Sequence, residues 1–240
     1  MTDRPAESTQ VFYARIAGVA YILIVLIGVL SGTLIESKLI VPGDYDVTAR
    51  NILADEGLFR IAIVGGLIMY AGVLLLAATL YVVLEKVNRN LALIALVFRS
   101  GEAIVGISMA LLSFTALSLL HGEGQLTALD TLQRHLLAGV FLDVRASGLD
   151  VVLMLIGVGG TIFGYLFLVS RYVPRILAAW GVLTYLSILL LGCVSILAPD
   201  HPAIFEIVLY SLGGAFELVF GAWLALKGVD VHAQPRPAAG

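Results

Sequence analysis

Charge is what this sequence has least of. Charged residues fill only 13% of its 240 positions while hydrophobic ones fill 60%, and the mean hydropathy is +1.02, so there are too few polar side chains to cover a water-exposed surface. A soluble globular domain is excluded, and most of the chain must be solvated by lipid. The 14 Lys and Arg against 17 Asp and Glu leave a formal charge of −3. The basic residues are scattered singly, so no patch can neutralise a row of phosphates and nucleic acid is excluded as a partner. Cysteine is nearly absent: Cys193 stands alone in an apolar run, can close no intrachain disulfide, and is expected to be a small buried hydrophobe. There is no P-loop, no dinucleotide-binding glycine pattern and no Gly-x-Ser-x-Gly elbow, and no cofactor is expected. Strand-like alternation of the barrel type is missing too, so the backbone hydrogen bonds of any membrane segment must close within helices.

What the sequence does contain is long apolar runs. A hydrocarbon core of about 30 Å takes roughly 20 apolar residues per helix. Runs of that order occupy residues 16–35, 61–84, 91–120, 151–170, 176–198 and 204–226. The first is too long for a signal-peptide core and is expected to be a retained helix. The expected fold class is therefore all-α, a polytopic transmembrane helical bundle of six spans with both termini in the cytoplasm. Residues 1–14 are expected to form a polar cytoplasmic N-terminus, 15–229 a six-helix membrane domain and 230–240 a flexible C-terminal tail, with no separate soluble domain.

Orientation comes from the distribution of basic residues. Arg4, Arg15, Lys86, Arg89, Arg171, Arg175, Lys227 and Arg236 collect on one side, eight in all, against five on the other, Lys38, Arg50, Arg60, Arg134 and Arg145. The positive-inside rule places the larger set, with the termini, in the cytoplasm of a cell membrane. Tyr13, Tyr81, Tyr172, Trp180 and Trp223 fall near the same side, as an interfacial aromatic belt would. Two connections are longer than the rest, 37–60 and 121–146, and are expected outside. In the first, Val-Pro-Gly-Asp at 41–44 reads as a turn, and residues 47–59 are expected to include a short interfacial helix. Pro174 suits a first helical turn and Asp200 an N-cap.

The strings Arg15-Ile-Ala-Gly, Leu39-Ile-Val-Pro-Gly-Asp44, Asn51-Ile, Glu56-Gly-Leu-Phe-Arg60, Val87-Asn-Arg-Asn-Leu-Ala-Leu93, Phe98-Arg99, Phe141-Leu-Asp143 and Pro174-Arg-Ile-Leu177 are, in that order, a specific signal, because hydropathy alone dictates neither Pro-Gly-Asp nor Asn-Arg-Asn. On them the chain resembles the bacterial family known as domain of unknown function 4386, over residues 14–229. The resemblance implies an integral membrane protein and brings no catalytic residue or cofactor with it. Where that family often carries histidine, this chain has Arg145, so the resemblance does not make position 145 a metal ligand.

Ionisable residues inside the spans are the candidates for function, since a charge near the bilayer centre costs about 2.5 to 3.5 kcal/mol unless paired or hydrated. At a rise of 1.5 Å per residue, Arg99 lies about 12 Å and Glu102 about 16 Å from the start of the third run, and Glu217 lies about 15 Å from Lys227. Arg99, Glu102 and Glu217 are thus expected at one level as a ligand-binding or ion-pair cluster. Two carboxylates against one guanidinium leave a negative charge that must be protonated, solvated or liganded. Gly106, Gly213 and Gly221 beside these groups allow close helix approach or leave room for a ligand. The cluster has two readings: a site for an ion, proton or small polar ligand, or a buried pair that fixes helix packing.

A second set, the outer-edge polar face, comprises Asp143, Ser147 and Asp150 at i, i+4 and i+7, with Arg145 nearby. His121, His135 and His201 fall on the same membrane side. An interfacial hydrolase could draw on such a set, but no His-x-x-x-His or Glu-x-x-His spacing is present, so no metal site is expected. The Gly-x-x-x-Gly of Gly160 and Gly164, preceded by Gly157, is expected to pack helices within the bundle. The expected partners are the lipid bilayer and a small polar ligand or ion. A transporter-like or ligand-sensing protein is the leading reading, ahead of an intramembrane enzyme or a non-catalytic assembly protein.

Overall fold

A computed structural model describes residues 4–122, 126 and 128–232. Among these residues every regular element is helical: α1 (Arg4–Gly28) runs into a π-helical segment (Val29–Glu36) and the short α2 (Ser37–Leu39), followed by α3 (Tyr45–Ala54), α4 (Glu56–Leu84), α5 (Arg89–His121), α6 (Thr131–Ser170), α7 (Arg175–Leu197) and α8 (Ile204–Lys227). Six of these segments among the described residues are long and apolar enough to cross a membrane: Ser8–Leu39, Glu56–Leu84, Arg89–His121, Thr131–Ser170, Arg175–Leu197 and Ile204–Lys227. The protein is an all-α membrane protein with six such spans.

Local chemistry sets most boundaries. The Val41–Asp44 turn needs a left-handed residue, and Gly43 supplies it at φ +79. Asp44 then caps α3, accepting from the Val47 N–H at 2.9 Å, while Thr48 Oγ1 accepts from the Val41 N–H at 2.9 Å and ties the turn to the helix. The second Asn of Asn-Arg-Asn is helical, and the first, Asn88, caps α5 by accepting from the Leu91 N–H at 3.0 Å. At α6, Asp130 and Gln133 form a capping box: Gln133 N–H donates to Asp130 Oδ1 at 2.8 Å and Asp130 N–H donates to Gln133 Oε1 at 3.0 Å.

Several boundaries depart from the hydropathy reading. Helix α1 starts at Arg4, within the stretch expected to be a polar terminus, and buries Gln10, which donates to the Val83 carbonyl at 2.9 Å. The interfacial helix predicted within 47–59 is α3, and Asp55 separates it from α4. Helix α6 begins 20 residues before the apolar run at 151; its 40 residues make it about 60 Å long, twice the hydrocarbon thickness. It continues through charged positions because those side chains find partners. Pro174 stands at the N-cap of α7 and Ala203 at that of α8, so Asp200 caps nothing. Cys193 is half-buried. Of the expected C-terminal tail, Asp230 donates its N–H to the Tyr172 carbonyl at 3.0 Å, and residues 233–240 lie outside the described set.

The chain forms two compact units. The first comprises Met1–Val25, Gly72–Glu102 and Leu153–Gly240. Its core joins small residues, Ala14, Ala17, Ala20, Ala92 and Ala95, to an aromatic group, Phe163, Phe167, Tyr185, Phe216 and Phe220. Phe216 stacks on Phe220 with ring centroids 5.3 Å apart, and Phe220 meets Phe167 and Tyr21 edge to face at 5.2 and 5.7 Å. Glycine sets the helix spacing: a Cβ at Gly18 would fall 2.5 Å from the Gly221 carbonyl oxygen, so α1 and α8 touch backbone to backbone. Gly157, Gly160 and Gly164 face Leu189, Tyr185 and Val182 of α7, which is close packing within the chain.

The second unit comprises Leu26–Ala71 and Ala103–Val152. Ile35, Leu39, Ile52, Phe59, Ile63, Leu117, Leu120 and Leu142 are among its buried residues. Here α3 turns Thr48, Ala49 and Ile52 inward. Gly139 of α6 receives the Tyr45 ring and Gly106 of α5 the Tyr70 ring.

Candidate functional site

The first unit holds a polar group in an otherwise apolar interior. Arg99 is the largest fully buried side chain of the described residues, 2% exposed, and Glu102, one turn on, is 3% exposed. Their i, i+3 spacing puts them on one face of α5, and Arg99 Nη1 lies 2.7 Å from Glu102 Oε2. The contact is an ion pair without hydrogen-bond alignment, and Arg99 Nε has no hydrogen-bond partner among the described residues. Gly159 of α6 makes room for the guanidinium stem, since a Cβ there would meet Arg99 Cγ at 2.9 Å. Arg99 stands ten residues into α5, about 15 Å along the axis.

Glu217 stands ten residues before the end of α8, at the same axial depth of about 15 Å. It is half-buried and makes no ion pair within 4.0 Å among the described residues, although it is within electrostatic reach of Arg99. Its partner is a phenol: the Tyr185 hydroxyl donates to Glu217 Oε1 at 2.9 Å. The same hydroxyl lies 3.2 Å from that of Tyr21, and both tyrosines are buried. The arrangement is thus an ion pair, Arg99 with Glu102, and a hydroxyl chain, Tyr21 to Tyr185 to Glu217. Beside it, Tyr21, Gly160, Tyr185, Phe216 and Phe220 are among the residues lining a cavity of about 10 Å³, no larger than a single water requires.

The tyrosines carry a signal of their own in the sequence. Tyr185 sits ten residues into α7, about 15 Å deep and far from the interface where membrane tyrosines collect. A hydroxyl at that depth needs a partner, as a carboxylate does.

The outer-edge residues belong to the second unit and are drawn into separate pairs. The Tyr45 hydroxyl donates to Asp143 Oδ2, and that bond holds the half-buried Tyr45 phenol above its ordinary value. Arg145 Nη2 donates to Glu36 Oε1. Ser147 Oγ donates back to the Asp143 carbonyl at 3.1 Å, and Asp150, half-buried, forms no ion pair among the described residues. His135 and His121 each have their own carboxylate: His135 Nδ1 lies 2.8 Å from Asp46 Oδ1, and His121 Nε2 2.9 Å from Glu56 Oε2. In the first unit, His201 Nε2 lies 2.9 Å from Ser195 Oγ and 3.6 Å from Glu206 Oε1. Among the described residues no three His, Cys, Asp or Glu side chains converge as metal ligands.

Six long apolar helices, with an ion pair buried in the first unit, define a polytopic helical membrane protein. A family model described as domain of unknown function (DUF4386) matches residues 16–228. The chain belongs to that family. No curated protein and no solved structure matches it.

Proposed function

We propose that this protein is a small transporter-like or ligand-sensing protein of the cell membrane, with both termini cytoplasmic, and that Arg99, Glu102 and Glu217 form its binding site for an ion or small polar ligand. The observation that supports the reading is the full burial of Arg99 with an unpartnered Nε, at the depth of two carboxylates. A guanidinium placed there only for packing would be expected to satisfy its donors, because each buried orphan costs about 1 to 3 kcal/mol. The small cavity favours a second reading, in which the cluster only fixes helix packing.

A variant with Arg99→Met, Glu102→Leu and Glu217→Leu separates the two. Purified in detergent, the wild type is expected to show a melting temperature that depends on pH or on added monovalent cations, and the folded triple variant a smaller dependence, with only the contribution of groups outside the cluster remaining. An equal response in both removes the binding site.

A further inference from the structure

The two carboxylates of the cluster are not equivalent. Glu102 has a permanent counter-charge, Arg99 Nη1 at 2.7 Å. Among the described residues Glu217 has no cation within 4.0 Å and is bonded instead to a hydroxyl, which can give or accept a proton. We propose that the ligand of this site is a proton and that Glu217 is the group that takes it. The inference rests on the binding-site reading above and names its ligand.

The hydroxyl chain accommodates both states without moving a heavy atom. With Glu217 ionised, Tyr185 donates to Oε1 at 2.9 Å and accepts from the Tyr21 hydroxyl at 3.2 Å. When hydronium delivers a proton to Glu217, an O–H bond forms on the carboxyl, one O–H bond of hydronium breaks and water leaves. The new O–H then donates to Tyr185, which turns its own proton toward Tyr21. Each oxygen of the chain keeps a hydrogen-bond neighbour before and after, and the Arg99–Glu102 contact at 2.7 Å is separate from it.

A metal cation fits worse: the adjoining cavity of about 10 Å³ has no room for an ion that gathers several oxygen ligands, as calcium and magnesium do.

The test is infrared difference spectroscopy of the full chain in lipid, between alkaline and acidic buffer. In the wild type a carboxylic-acid C=O band of a buried group is expected on acidification. It should be missing in Glu217→Gln, remain in Glu102→Gln, and shift to higher frequency in Tyr185→Phe, where the carboxyl loses its hydrogen bond. The last variant retains Glu217, so the assignment stands or falls even if Glu217→Gln does not fold. A band that survives in Glu217→Gln, or is unmoved in Tyr185→Phe, overturns the proposal. Sodium or potassium stabilisation of the wild type that vanishes in Glu217→Gln also overturns it, while leaving the binding-site reading in place. A Glu217 band in protein that carries no proton flux in dye-loaded liposomes keeps the proton assignment and removes transport.

Discussion

At the scale of single residues, the buried ion pair sets an order of sensitivity. Arg99→Ala removes the one ion-pair partner that Glu102 has among the described residues, and breaking a buried pair costs about 3 to 5 kcal/mol. Glu102→Gln is expected to follow closely, because the guanidinium then has no carboxylate within 4.0 Å among the described residues. Glu217→Gln should lose about 1 kcal/mol or less, since the amide oxygen still accepts from Tyr185. Melting curves in detergent for the three variants check the order, and equal losses would show that the pair is not formed. Tyr45 gives a pH prediction of known sign. Its folded value lies above the ordinary tyrosine value through the bond to Asp143, so it adds stability below about pH 10 that is lost as the pH rises through that higher value. Tyr45→Phe should therefore flatten the alkaline limb of a stability profile and leave the neutral part nearly parallel.

At the scale of elements, glycine decides which helices touch. A methyl at Gly18 would collide with the Ala225 amide nitrogen and the Gly221 carbonyl of α8, both backbone atoms that cannot swing away. Gly18→Ala must push α1 and α8 apart, at a cost of about 1 to 3 kcal/mol. Gly66 in α4 has nothing within 4 Å of the same added atom. Gly66→Ala should be neutral or stabilise by up to about 1 kcal/mol through helix propensity. A larger loss of thermal stability for Gly66→Ala than for Gly18→Ala would contradict these helix contacts. The same logic explains α6. Its apolar run starts at 151, yet the helix starts at Thr131, because His135, Asp143 and Arg145 are each matched by a residue from 36–46. That matching was not legible in the sequence, whose hydropathy marks only lipid-facing length.

At the scale of the whole molecule, the orientation is open to a direct experiment. In a Cys193→Ser background, cysteines at Asp44 and Lys86 should differ in reaction with an impermeant maleimide on intact cells, with labelling at position 44 and protection at 86. The reverse pattern would invert the arrangement. Glu123, in the other long connection, lies outside the described residues, so Asp44 is the better probe.

Six spans, helical class and family membership follow from the chain alone, because apolar length is a property of consecutive residues and lipid leaves helices no other way to satisfy their backbones. The axial positions of Arg99, Glu102 and Glu217 along their helices were likewise legible, since axial rise is proportional to residue number. Azimuth and side-chain reach were not. Whether Arg99 pairs with its neighbour on α5 or with Glu217 on α8 depends on how the helices are rotated. Only the tertiary structure decided that Glu102 takes the guanidinium at 2.7 Å while Tyr185, from a third helix, takes Glu217.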